Sequence, residues 1–240
     1  MYVYDSQPYH YIAASLTLIQ YPYPCIGNWT FLNFSIRELP TYNEALQRVK
    51  NGGRLLDLGC CFGQDIRRLV YDGAPSEHIY ASDLRVDFWD YGYDMFLDKS
   101  SFKAKFIEAD IFNTDSELKQ LDGKIDVVSA SSFFHLFLWE DQVKAAKRVV
   151  QLLKPVAGSM IIGQQGWQEE AKHFYMIKNH ELWWHNLESW ERMWKQVGEE
   201  TGTVWKVEAS IKHGEDWSQR IQTKVVPPKL GYMKFTVRRV

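Results

Sequence analysis

Five short apolar runs, each followed by a helical stretch, constrain this chain more than any other feature of its sequence. Arg54–Leu58 reads as a strand and Gln64–Tyr71 as a helix; His78–Ser82 and Val86–Asp98 repeat the pair. Lys105–Ala109 is a third strand, with a short helix over Asp115–Leu121. Ile125–Ala130 has the character of a buried strand. Glu140–Leu153 then places Val143, Ala146, Val149, Val150 and Leu153 at helical spacing before Pro155, and Ser159–Gly163 is the fifth strand. Strands joined through helices run parallel. The expected fold class is α/β, a doubly wound sheet with helices on both faces and its ligand at the strand C-termini.

The flanks are less regular. Residues 1–40 are aromatic and punctuated by Pro8, Pro22, Pro24 and Pro40; Ile12–Ile19 fits a short helix that Tyr21-Pro22-Tyr23-Pro24 cannot continue. Thr41, with Glu44 three residues on, is placed to cap a helix running to about Lys50, which Asn51-Gly52-Gly53 ends. Residues 164–185 are rich in aromatics and histidine and show no clear period. Asn186 caps a helix whose Leu187, Trp190, Trp194 and Val197 share a face, and Gly202 stops it. Val204–Ile211 and Tyr232–Val240 alternate as strands do; added antiparallel, they bring the sheet to about seven. No repeat or linker divides the chain. One Rossmann-like domain over 1–240 is expected, with 1–50 a lid or helical segment and 164–185 a second lid.

Composition narrows the partners. A net charge of −2, with 45% apolar and 24% charged residues, is ordinary for a soluble globular protein and shows no basic excess for nucleic acid. No apolar run reaches membrane-spanning length, and Met1–Asp5 lacks the basic and apolar regions of a leader. Cys25, Cys60 and Cys61 form neither a CxxC pair nor a disulfide framework, so a cytoplasmic protein is expected, without a membrane partner. His180 and His185 stand at no metal-binding spacing with a third ligand, and no metal is expected. The 10 Trp and 13 Tyr suit either a pocket for a bulky apolar ligand or core filling.

The chemistry concentrates at three strand ends. Leu55-Leu56-Asp57-Leu58-Gly59-Cys60-Cys61-Phe62-Gly63-Gln64-Asp65 is a strand ending in an acid, a turn with Gly59 and Gly63, and a helix start. The next strand ends in Asp83, about 20 residues past the turn, where a carboxylate accepts both hydroxyls of a ribose. The third ends Glu108-Ala109-Asp110-Ile111, where Asp110 is placed to accept from an adenine amino group while an apolar neighbour packs on the ring. A nicotinamide fold would show G-x-G-x-x-G, and a phosphate loop Gly-Lys-Ser/Thr; neither is present.

The order Asp57, Gly59, Gly63, Asp83, Asp110 resembles motifs one to three of class I S-adenosylmethionine-dependent methyltransferases. More narrowly, Tyr23-Pro24-Cys25-Ile26-Gly27, the Leu56–Asp65 run, Asp72-Gly73-Ala74-Pro75, Phe134-His135-Leu136-Phe137 and the Met193–Gly202 run are similar to small fungal methyltransferases of meroterpenoid and polyketide biosynthesis. That resemblance spans roughly residues 20–212 and weakens over 164–185. It implies that Asp57, Gly59 and Gly63, flanked by Cys60 and Gln64, surround the methionine end of S-adenosylmethionine. Asp83 and Leu84 would hold the ribose side, Asp110 and Ile111 the base, with Ala130 at the tip of strand four. Cys61 replaces the middle glycine of the broad class, as it does in the narrower family.

Methyl transfer from a sulfonium depends mainly on alignment, and a carboxylate acceptor needs no base. His135, just past strand four, is the candidate for contacting or deprotonating an acceptor; the competing reading is a structural histidine. Tyr23, Trp29, Phe134, Trp139, Trp167 and Trp183 are the candidate substrate-pocket residues. The resulting expectation is an O-methyltransferase acting on the carboxyl or hydroxyl oxygen of a hydrophobic polyketide- or terpenoid-like natural product, with a homodimer possible. A cyclase or pericyclase of the same fold, binding the cofactor without transferring methyl, is the alternative, and a non-catalytic cofactor-binding partner subunit the third.

Overall fold

Neighbouring residues of each central strand are buried on opposite faces, as a sheet covered on both sides requires. Leu55 and Leu56 of β1 (Leu55–Leu58) belong to different cores, as do Val127 and Val128 of β4 (Val127–Ser129) and Met160 and Ile161 of β5 (Met160–Gln168). The computed structural model describes residues 24–27, 29–175, 181–213 and 230–240. With β2 (Ile79–Asp83) and β3 (Lys105–Glu108), the parallel strands lie in the order β3-β2-β1-β4-β5. The order reverses between β1 and β4, and a crevice opens at such a switch point beyond the strand C-termini.

The helices follow from the two cores. On one face, α1 (Tyr42–Lys50) contributes Ala45, Leu46 and Val49, α2 (Gln64–Tyr71) contributes Ile66 and Leu69, and α3 (Val86–Phe96) contributes Trp89. On the other, α4 (Trp139–Leu152) packs beside α5 (Leu187–Thr201), whose Trp190, Met193, Trp194 and Val197 are fully buried. Each such side chain adds about 1.5–3 kcal/mol of apolar burial. Asn186 and Ser189 cap α5 reciprocally, at 2.9 and 3.1 Å.

A two-stranded hairpin pairs β6 (Lys172–Tyr175) with β7 (Glu181–Trp184). The main sheet is completed by β8 (Trp205–His213) and β9 (Leu230–Arg239). β9 enters between β5 and β8 and runs antiparallel to both, so β8 points the same way as the first five strands. The seven-stranded sheet is the expected one. Among the described residues, no helix is long and apolar enough to cross a membrane.

Several local expectations are corrected. β5 continues from Gly163 to Gln168 because β9 pairs with it along the whole run, overriding the weak strand preference of Gln164-Gln165-Gly166. Within the aperiodic stretch 164–185, the described residues accordingly include the end of β5 and the paired strands β6 and β7. Thr41 and Glu44 do not form a capping box: the Thr41 hydroxyl bonds Thr236 at 2.9 Å, and Glu44 pairs with Arg238 at 2.7 and 2.8 Å. The short helix before β4 is a 3-10 turn, Glu117–Leu121. The Ile12–Ile19 helix and the gap through Pro227-Pro228 lie outside the described residues.

One packing contact shapes the turn after β1. Gly92 of α3 lies against the Phe62 carbonyl, and a Cβ there would stand 2.3 Å from that oxygen. Gly92→Ala is expected to destabilise the protein by about 1–3 kcal/mol through overpacking. A lower urea midpoint would show this; an unchanged midpoint would mean that helix and turn separate freely.

Candidate active site

The turn from β1 to α2 alternates left-handed residues. Gly59, Cys61 and Gly63 have φ of 68°, 51° and 69°. Cys61 therefore adopts the conformation that a glycine would take without strain, at a cost of about 1–2 kcal/mol. Backbone bonds join the turn to the end of β2: the Gly59 and Cys60 amides donate to the Ser82 carbonyl at 2.9 and 3.2 Å, and the Cys61 amide donates to Asp83 Oδ2 at 3.0 Å. The Cys60 thiol is buried, and burial pushes its titration well above the ordinary range, as it does for Cys61. Neither is prepared as a nucleophile.

Carboxylates crowd the base of this turn. Asp57 is 4% exposed, and burial together with Asp65 and Asp83 pushes its pKa up to about 8. Asp65, the second residue of α2, is raised to about 6 by burial. Asp83 is raised in the same way, although it accepts the Cys61 amide and, at 3.3 Å, the Arg85 amide. Among the described residues no lysine or arginine side chain relieves Asp57 or Asp65. The neighbouring Arg67 is committed elsewhere, paired with Asp98 at 2.7 and 3.0 Å and enclosed by Trp89, Phe96 and Phe102. Two further polar atoms near the strand tips, Gln64 Oε1 and Ser131 Oγ, are buried with no hydrogen-bond partner among the described residues. Buried anions and unpaired polar atoms fit a ligand that brings its own cation and hydrogen-bonding groups.

Beyond Asp83 the crevice widens into a cleft of about 390 Å³ lined by Leu84, Glu108, Ala109 and Asp110 among others. Asp110 is exposed and accepts the Phe112 amide at 2.9 Å. Leu84 faces this cleft, whereas Ile111 is packed in the core with Ile107 and Leu118. Ala130 is fully buried at the tip of β4, its amide donating to Ile162. The structure thus gathers Asp57, Gly59, Cys60, Gly63, Gln64 and Asp83 about one turn and places Leu84 and Asp110 in the adjoining cleft.

His135 is 8% exposed and stacks on Trp184. Its Nδ1 accepts the Gly166 amide at 2.6 Å, and burial lowers its pKa to about 4. The ring is neutral and carries its proton on Nε2, a donor. Trp139 and Trp183, both half-buried, lie edge to face at 5.7 Å. Phe134 is instead fully buried among Trp190, Trp194 and Phe235, a core position with no face left for a substrate. Trp167 is buried in the same core. Trp29 is part-exposed beside Phe31, and Tyr23 lies outside the described residues.

The residue missed by sequence reasoning is Asp65. An acid in the first turn of a helix ordinarily complements the dipole at the surface. Only the fold buries this one, beneath Ser35 and Ile36.

The left-handed strain gives a direct test. Cys61→Gly is expected to stabilise the protein, or leave it unchanged within about 0.5 kcal/mol, because relief of φ offsets the added unfolded-state entropy. A clear fall in Tm would show that the Cys61 side chain contributes more through packing than its backbone loses.

A methyltransferase domain family matches residues 55–156. Methyltransferase adrK of Penicillium roqueforti is 47% identical over 190 residues, covering 78% of this chain and 68% of the relative. O-methyltransferase phiE of a fungal species is 46% identical over 199 residues, covering 82% and 66%. The asnovolin E/chermesin D methyltransferase nvfJ of Aspergillus novofumigatus is 42% identical over 194 residues, covering 79% and 69%. The chain thus spans about two thirds of the length of these curated relatives. Among solved structures, the 1,6-didemethyltoxoflavin-N1-methyltransferase of Burkholderia thailandensis, with S-adenosylhomocysteine bound, aligns with a TM-score of 0.61 at 13% identity, covering 100% and 93%. The [4+2]-cyclase SpnF aligns at 0.58 and 15% identity, covering 82% and 80%; both likenesses speak to the fold alone. With these relatives and the motif residues assembled at one crevice, the chain belongs to the class I S-adenosylmethionine-dependent methyltransferases, and S-adenosylmethionine is its cofactor.

Proposed function

We propose that the protein transfers a methyl group to an ionised oxygen, a carboxylate, of a hydrophobic polyketide- or terpenoid-like small molecule. The observation that carries the cofactor half of this reading is the set of buried carboxylates around Asp57 without a cationic side chain among the described residues. Asp57 and Gln64 would take the ammonium of the cofactor's amino-acid end, with the Ser131 hydroxyl toward its carboxylate. Asp83 would hold the ribose, and Leu84 and Asp110 the base. When bound, S-adenosylmethionine supplies a methyl group already activated on its sulfonium.

The acceptor half rests on His135. With Nδ1 occupied by the Gly166 amide, the ring can donate from Nε2 but has no lone pair to take a proton. A hydroxyl acceptor would need a base there; a carboxylate needs only to be held. The O-methyltransferase name of the phiE relative and the natural products named for nvfJ support this class of substrate. Trp139 and Trp183 are the aromatic surface we assign to it.

Two measurements test the reading. Labelled S-adenosylmethionine with a panel of terpenoid and aryl acids is expected to yield labelled methyl esters. Labelled ethers would move the acceptor to a hydroxyl, and an isomer of unchanged mass would support the cyclase alternative. His135 titrates far below neutrality, so kcat is expected to stay level between about pH 6 and 8, without the acid limb of a histidine base.

Asp57 gives the second test. Its folded pKa of about 8 stands above the ordinary 3.8, so the native state without ligand holds a proton that the unfolded chain releases. Stability of the free protein is therefore full below about pH 4 on account of this group and falls as pH rises toward 8. Affinity for S-adenosylhomocysteine, whose ammonium needs the carboxylate, is expected to rise over the upper part of that window. Asp57→Asn should flatten both trends, raise Tm at pH 8 and weaken binding about tenfold or more. Unaltered affinity in that variant would remove Asp57 from the cofactor site.

A further inference from the structure

The segment ahead of α1 is fastened to the cofactor turn at two kinds of contact. Phe31 lies edge-on to Phe62 at 4.9 Å, and Phe62 to Phe88 at 5.7 Å; Ile26 joins the same cluster, and Cys61 packs against it. Phe62 sits between Cys61 and Gly63, within the left-handed series. The second contact is polar. Asp65, 3% exposed, accepts the Ser35 hydroxyl at 2.8 Å through Oδ2 and the Ile36 amide at 3.3 Å through Oδ1. Farther along, Glu38 holds Lys234 of β9 at 2.9 Å, and its carbonyl accepts the same ammonium at 3.0 Å. Residues 29–38 therefore form a strap from the cofactor turn to β9, with Asp65 as the buried anchor at the turn.

A buried carboxylate beside Asp57 is an unfavourable placement unless its hydrogen bonds do something that a smaller apolar residue cannot. Both oxygens of Asp65 are directed at the strap, and it belongs to α2, the element that begins where the turn ends. We propose that Asp65 is a positioning residue for the cofactor: it ties residues 35 and 36 to the base of the turn, seats Phe31 on Phe62, and so holds Gly59–Gly63 in its binding conformation without touching the cofactor. This inference rests on the cofactor reading above. It makes affinity depend on a strap that lies outside the motif residues.

Calorimetric binding of S-adenosylhomocysteine to the full chain, well below the melting midpoint, tests it. Asp65→Ala and Phe31→Ala are each expected to weaken binding by about tenfold. Together they should weaken it little further, because both release the same strap. Asp65→Asn, which keeps one acceptor oxygen, should recover part of the loss, and Ser35→Ala should lose a few-fold from the strap side. Should Asp65→Ala fail to fold, the Asn and Ser35 variants provide the comparison. Affinity held within about twofold in Asp65→Asn and Ser35→Ala alike, whatever their Tm, would overturn the proposal. So would multiplying effects in the double variant, which would mean that Asp65 acts on the cofactor directly. Failure of the unmodified protein to bind S-adenosylhomocysteine would overturn the cofactor reading and this inference together, a result distinct from the other two.

Discussion

The arrangement of the site depends on negative charge held out of water where β1, β2 and α2 converge. Asp57, Asp65 and Asp83 are each raised above the ordinary carboxylate range by burial, and Asp57 further by its acidic neighbours. A fold accepts such crowding only where something compensates it. Backbone amides provide part of that compensation at Asp83, and the strap provides part at Asp65. Asp57 has least, which marks it as the position most dependent on a cationic ligand. Stability and affinity are then opposed at the same residue, as at many sites whose geometry serves binding before folding.

On the side proposed for the acceptor, rigidity comes from a buried neutral network. His185 joins Ser189 at 2.8 Å and Gln142 at 3.0 Å, and Gln142 donates to the carbonyls of Phe137 and Trp183. The network links α4, α5, the hairpin and the segment carrying His135. Both histidines are kept uncharged by burial, so neither would introduce a charge beside the apolar substrate proposed above. Gln142 lies fully buried in the first turn of α4, and its capacity to tie the segment after His135 to β7 follows from the amide offering two donors and an acceptor.

The alternating strands and helices were legible because parallel strands buried on both faces must be apolar throughout, as in Leu55-Leu56 and Val127-Val128. The ends of β1, β2 and β3 were legible because an acid at the tip of a buried strand has few structural reasons to be there. What escaped was whatever tertiary pairing decides. Gln164–Gln168 carries no strand signal of its own and becomes strand through β9. Thr41 and Glu44 match a local capping pattern, yet their side chains are drawn to Thr236 and Arg238, nearly two hundred residues away in sequence. The aromatics divided for the same reason. Phe134 and Trp139 are five residues apart, and only the packing of α5 determines that the first is core and the second remains half-exposed.

The placement of β9 bears on how the chain assembles. β5 cannot satisfy its outer edge until residues 230–239 reach it, and those same residues must also collect β8, Thr41 and Glu44. Met233, Phe235 and Val237 are fully or almost fully buried only after that insertion. A growing polypeptide would therefore carry a ready parallel half-sheet with an open, sticky flank from the completion of β5 until residues 230–239 emerge. Such a flank invites pairing with the wrong neighbour, and its closure through distant contacts is intrinsically slow. Chaperone demand and yield in a foreign host should thus be governed by the wait for one strand.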